Sequence, residues 1–216
     1  MVNFINKNKL LVTTAICVIS MCANTVKAEE ISILDILNNS NTKSSNISWE
    51  KVTSAGIDTI QIGDEYFKYT YTQPTDYTEV KDLTEEISVI DPTETDTYKY
   101  VGLGVNNPSG TDYGDIEKYV FSNNKVTATL ENNTGGYRYL YVDGGTIYNQ
   151  GTIGDVTADF LNNSIEISAS RGYAKSSASG GAIDNGGTIE TITGDFIGNS
   201  ATSTNSSAFG GAIDNG

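Results

Sequence analysis

The 216-residue chain has no histidine. This excludes Ser-His-Asp and Cys-His nucleophile systems and removes the commonest zinc ligand. Its two cysteines, Cys17 and Cys22, both lie near the N-terminus. Everything downstream therefore folds without the disulfides that often staple small secreted domains. Only three prolines occur, too few for a proline-rich linker, and 22 glycines are too few for collagen. Basic residues are also scarce, with 13 Lys and Arg against 27 Asp and Glu. Such a surface repels phosphates and anionic lipid, which excludes a nucleic-acid binder. There is no Gly-rich phosphate loop followed by Lys-Ser/Thr. Gly102-Leu103-Gly104 lacks the third glycine and the following helix of a dinucleotide fingerprint. No cofactor-binding, metal-binding or catalytic constellation is expected.

The first 28 residues read as a targeting segment. Met1 to Lys9 is short and basic, and Leu10 to Cys22 is nearly all apolar. Val26 and Ala28 then take the −3 and −1 places of a small-residue cleavage site, before Glu29-Glu30. The apolar run is short for a ~20-residue membrane span, so cleavage is expected over anchoring. Met21 before Cys22 argues against a lipoprotein. Without this segment the chain keeps 10 basic and 27 acidic residues, a net charge of −17.

Self-similarity dominates the C-terminal third. Gly144 to Ser164 and Gly180 to Ser200 share 12 of 21 residues at an offset of 36. Ser176 to Gly186 and Ser206 to Gly216 share 10 of 11 at an offset of 30. The units are 144–179, 180–209 and an incomplete 210–216. The length difference falls between Ser164 and Ser176, with the extra residues placed in Ala169 to Ala174, around Arg171 and Tyr173. A degenerate earlier copy is readable too. Phe121-Ser122-Asn123-Asn124 repeats the Phe-x-x-Asn spacing of Phe160 and Phe196, and Gly114-Asp115-Ile116 resembles Gly154-Asp155-Val156. Aligning both requires a one-residue gap.

Thr188 to Thr193 is β-branched apart from Glu190 and is bracketed by glycines, and no amphipathic helical period appears. Short strands repeating every 30 to 36 residues predict an all-β fold, a right-handed parallel β-helix with one coil per unit. Ile147, Ile183 and Ile213 then stack as an apolar column, as do Phe160 and Phe196. Asn149, Asn185 and Asn215, and separately Asn163 and Asn199, form amide ladders at turns. The Gly-Gly pairs permit the positive φ of a tight corner.

Residues 29–143 read as an irregular β-rich N-terminal cap with the first coils, with a separate binding module as the other reading. Ile31, Leu34 and Ile36-Leu37 suggest one short helix or the first edge of the cap, ended by Asn38-Asn39-Ser40. Strands are expected at Ile57–Ile62, Tyr66–Thr72, Val126–Leu130 and Tyr137–Val142. Tyr66, Tyr69, Tyr71, Tyr77, Tyr98 and Tyr100 crowd this part, expected as half-buried cross-strand partners. The sharper alternative is sugar or protein contact through exposed rings.

The GGAI of Gly180 to Ile183 and Gly210 to Ile213, with Phe196-x-x-Asn199, resembles the repeats of polymorphic outer membrane proteins. Gly144 to Gly216 as a whole is similar to autotransporter adhesin-like passengers. The resemblance covers about a third of the chain. It implies export in a Gram-negative envelope, presentation at the cell surface or outer membrane, and adhesion to a host or neighbouring-cell surface protein or glycan. Such families end in a translocating β-barrel. None is present before the chain stops at Gly216 in mid-repeat, so the chain reads as an N-terminal fragment. The other function class is a carbohydrate-active β-helix enzyme, a polysaccharide lyase or hydrolase. Its carboxylates would come from Asp159 with Asp195, or Asp184 with Asp214, each pair at equivalent repeat positions. Repeat-consensus carboxylates are expected instead to face solvent at turns and accept backbone hydrogen bonds. Arg138 and Arg171, the only guanidinium groups, sit in no recognisable motif.

Overall fold

The computed structural model describes residues 32–39, 46–56, 58–90, 97–131, 138–170, 174–204 and 207–216. The targeting segment, Arg171 and Tyr173 lie outside these residues, as do the side chains of Tyr98 and Tyr100. The chain divides into two compact units at Thr75 and Asp76.

In the first unit, a seven-residue helix α1 (Ile33–Asn39) is capped by Ser32. The Ser32 Oγ accepts the Asp35 backbone N–H at 3.1 Å and donates to the Asp35 carboxylate at 2.7 Å. This satisfies one of the donors left free at a helix start. Asn38 ties the other end to β1 (Ile47–Val52) through paired bonds with the Trp49 backbone, Nδ2 to the carbonyl at 3.0 Å and N–H to Oδ1 at 3.1 Å. β2 (Thr59–Ile62) and β3 (Glu65–Tyr71) form a hairpin, and β1 pairs antiparallel with β3. Gly63, with φ of 62°, supplies the positive φ that a two-residue hairpin turn requires.

The second unit runs four times through the same four sheets, in the same order. The first passage is β4 (Thr78–Lys81), β5 (Thr84–Ile90), β6 (Thr97–Val101) and β7 (Val105–Asn107). The second is β8 (Ile116–Ser122), β9 (Lys125–Glu131), β10 (Arg138–Asp143) and β11 (Ile147–Asn149). The third is β12 (Thr152–Leu161), β13 (Ser164–Ala169), β14 (Ala174–Ser179) and β15 (Ile183–Asn185). The last is β16 (Thr188–Thr193) with β17 (Phe196–Ile197), then β18 (Ser200–Thr204), β19 (Ser207–Phe209) and β20 (Ile213–Asn215). All pairings between passages are parallel.

Strand alternation sorts side chains inward and outward. In β13, Ile165, Ile167 and Ala169 are buried while Glu166 and Ser168 are exposed. One apolar cluster joins the sheets of β13 and β14, and another joins those of β12 and β15. The register is the one the repeat implies. Ile147 pairs with Ile183 and Ile183 with Ile213, and Val105 extends the column into the first passage. Phe160 pairs with Phe121 and with Phe196, at ring centroid distances of 5.1 and 4.6 Å. The one-residue gap is a β-bulge. The register shifts between Thr157 and Ala158, leaving Lys118 of β8 as the extra residue, with φ of 61°.

Two corners keep constant length through all four passages, the one before β5, β9, β13 and β18 and the one before β7, β11, β15 and β20. The steps Lys81 to Thr84, Ser122 to Lys125, Leu161 to Ser164 and Ile197 to Ser200 are all equal. The corner after β7 is longer than its equivalents, Asn107 to Asp112 matching Asn149 to Thr152 and Asn185 to Thr188. Length varies most at the corner that links the β5, β9, β13 and β18 sheet to the next. There the equivalent intervals are Ser88 to Lys99, Thr129 to Tyr141, Ser168 to Ser177 and Thr204 to Ser207. The expected loop at Ala169 to Ala174 is too wide. Ala169 is the buried last residue of β13, and Ala174 opens β14 opposite Arg138.

Candidate functional site

The bulge supplies the partner of one surface carboxylate. Lys118, displaced from the ladder, reaches Asp76 with its Nζ at 3.0 Å. That hydrogen bond holds the Asp76 carboxyl below its ordinary value and raises the Lys118 ammonium. Tyr77, just before β4, is pushed above the ordinary phenol value. Burial is the largest cause, followed by the negative charges of Asp159, Asp76 and Asp195, with Lys118 opposing. Asp159 therefore lies among groups from three passages. It is only 3 % exposed, which corrects the expectation of a solvent-facing turn carboxylate. Its Oδ1 accepts the backbone N–H of Asp195 at 2.9 Å, so the expected backbone bond does form, across one passage to the next. Asp184 and Asp214 are in register on β15 and β20, both half-buried. Among the described residues, no group of three or more His, Cys, Asp or Glu is arranged to hold a metal ion.

The remaining motifs resolve into packing. Arg138 is 4 % exposed at the head of β10. Gly102 and Gly104 stand where the next passage comes close. A methyl at Gly102 would strike the Gly144 carbonyl oxygen, and one at Gly104 would press on the Thr146 oxygen at 3.1 Å. Close approach of backbone, not phosphate binding, accounts for them. Tyr69 is buried against Trp49, at 5.6 Å between centroids, and its hydroxyl donates to Asp58 at 3.0 Å. Tyr66 and Tyr71 are half-buried cross-strand partners of Val52 and Ile47.

Sequence reasoning missed a cavity at the first passage. β4 pairs with β8 only from Tyr119 onward, so Ile116 has no strand partner on that side. A partly open recess of about 210 Å³ results. Val80, Val105 and Ile116 form apolar walls, and Tyr113, Asp115 and Tyr119 bring polar atoms. Tyr119 stacks on Phe121 at 5.7 Å, which makes it the outermost ring of a stack continuing through Phe160 and Phe196. Asp115 is fixed through one oxygen, which accepts the Asp155 N–H at 2.9 Å. The repeat alignment carried a signal, since Tyr113 and Tyr119 stand where the third passage has Ile153 and Ala158.

Comparison of the chain with protein-family models, with curated proteins and with solved structures gives no match.

Proposed function

We propose that residues 76–216 are part of a right-handed parallel β-helix belonging to an exported, autotransporter-like passenger that acts in adhesion at the cell surface. The observation that carries this reading is the pair of asparagine ladders. Asn107, Asn149, Asn185 and Asn215 are joined by side-chain hydrogen bonds, each Nδ2 donating to the next Oδ1, of 2.7, 2.6 and 2.7 Å. Asn124, Asn163 and Asn199 are joined by bonds of 2.8 and 2.9 Å. Such ladders, with in-register apolar columns, suit a scaffold whose stability comes from stacking neighbours rather than from disulfides. A stiff, acidic, sheet-walled scaffold favours repeated contact with a partner along its length. The partner class is a protein or glycan of a host or neighbouring cell. Export would use the segment at residues 1–28 and a downstream β-barrel.

The test is expression with the native N-terminus in a Gram-negative host. Exported protein is expected to begin at Glu29 by N-terminal sequencing, and purified chain to retain cells or glycans in a binding assay. Protein held in the membrane with Met1 intact would refute the export reading. Turnover of a polysaccharide without stable binding would favour the enzyme class instead.

A further inference from the structure

We propose that the recess at the first passage binds a methylated ammonium group, of the kind choline carries, on a ligand without an adjacent anion. Three features select this chemistry. Tyr113 is 52 % exposed and Tyr119 half-buried, so two phenol rings border the cavity, and a ring face attracts a cation. Asp115 uses one oxygen on the Asp155 N–H. Its second oxygen, and the hydroxyls of Tyr113 and Tyr119, have no hydrogen-bond partner among the described residues. That leaves a negative charge in the same lining as the two rings. Val80, Val105 and Ile116 supply apolar walls that suit N-methyl groups. A bare ammonium is a compact, strongly hydrated charge and would lose its water there.

The field of the whole chain acts in the same direction. A net charge of −14 concentrates cations and repels anions. The same field disfavours acidic sugars and phosphate-bearing ligands. A neutral sugar can stack on the rings but gains nothing from the charge. The site stands on the cavity itself and does not depend on the adhesion reading.

The experiment is a titration of the full chain with choline, followed by NMR of the tyrosine rings or by calorimetry. Saturable binding is expected with a Kd on the order of millimolar, perturbing Tyr113 and Tyr119. Its neutral carbon isostere, 3,3-dimethyl-1-butanol, should bind at least about tenfold more weakly. Phosphocholine should also bind more weakly than choline, and 1 M salt should weaken choline binding. Asp115→Asn keeps an oxygen for the Asp155 N–H while removing the charge, and is expected to lose about tenfold in affinity. Tyr113→Ala removes an exposed ring and should lose a similar factor, with circular dichroism verifying the fold of both variants. Absence of saturable choline binding overturns the proposal. So does equal binding of the isostere or of phosphocholine, or undiminished binding by both folded variants.

Discussion

Asn149 donates its Nδ2–H to the Oδ1 of Asn185 at 2.6 Å, across 36 residues of sequence and one passage of structure. Its own Oδ1 accepts Asn107 at 2.7 Å and the Gly151 N–H at 3.1 Å, while Nδ2 also donates to the Thr188 carbonyl at 3.0 Å. Both amide hydrogens and the oxygen are thus used inside a buried column. The bond direction is the same at every step, so each asparagine orients the next.

This predicts a large contrast between the middle and the end of the ladder. Asn149→Ala would leave Asn107, Asn185 and the Thr188 carbonyl short of partners in a buried setting. A loss of about 2–4 kcal/mol is expected by denaturant unfolding. Asn215→Ala removes one partner at an exposed position and should cost about 1 kcal/mol or less. Equal losses would mean that the ladder is not what holds the passages in register.

The second glycine of each Gly-Gly pair offers a sharper comparison. A methyl at Gly181 would collide with the backbone oxygens of Gly211 and Ser200, both held in sheet corners. At Gly211 the nearest atom is the Asn199 oxygen at 3.9 Å. In the 216-residue chain, Gly181→Ala is expected to destabilise by at least about 3 kcal/mol and Gly211→Ala by less than about 0.5 kcal/mol. Thermal unfolding of the two variants decides it, and similar midpoints would contradict the stacked geometry.

Tyr77 should report on Asp159. Asp159→Asn removes one of the charges that raise the phenol, so its titration should move down toward the ordinary value, read by alkaline absorbance or NMR. The folded value lies above the unfolded one. Tyr77 therefore contributes stability below the ordinary phenol range, and that contribution is lost as pH rises through the folded value. Asp76 behaves in the opposite sense. Lys118→Met should return its carboxyl toward the ordinary range. The stability Asp76 contributes is present above that range and lost as pH falls through its lowered value. A Tyr77 titration unmoved by Asp159→Asn would place the two groups too far apart for this account.

Corner lengths give the last prediction. Inserting two glycines between β18 and β19, where corner length varies most, is expected to cost less than about 1 kcal/mol. The same insertion between Gly198 and Asn199 would pull Asn199 out of its bonds with Asn163 and the Phe160 carbonyl, at 2.9 and 2.7 Å. It should cost several times more, about 2–4 kcal/mol. Circular dichroism with urea titration separates the two cases.

Much of the stacking was legible because it is written as repetition. When Phe160 sits on Phe196, and Asn163 on Asn199, like residues recur at the offset of the passage, and the offset gives the register. Even the bulge was readable, since aligning both Phe121 and Ile116 with the later copies demands one extra residue. One ladder proved longer than the repeat suggested, because Asn107 joins it from a passage whose other residues have diverged, while Asn124 extends the other as its Phe-x-x-Asn spacing implied. The burial of Asp159 was not legible, and the cavity showed only as the departure of Tyr113 and Tyr119 from the repeat. Both depend on where the short strand β4 begins and on what Tyr77 and Tyr113 face, which no repeated residue encodes.

The sequence by itself determined which repeat residues stack on which, the parallel direction of that stacking, and the strand character of the repeated segments. These follow from local alternation and from a period. Tertiary structure alone decided the worth of identical residues. Gly181 and Gly211 share the same motif, yet only at Gly181 would an added methyl collide with backbone oxygens. Ile183 is fully buried and Ile213 is not, although the surrounding residues are the same. Burial, collision and charge coupling are set by the next layer, and a residue's own sequence neighbourhood holds no record of that layer.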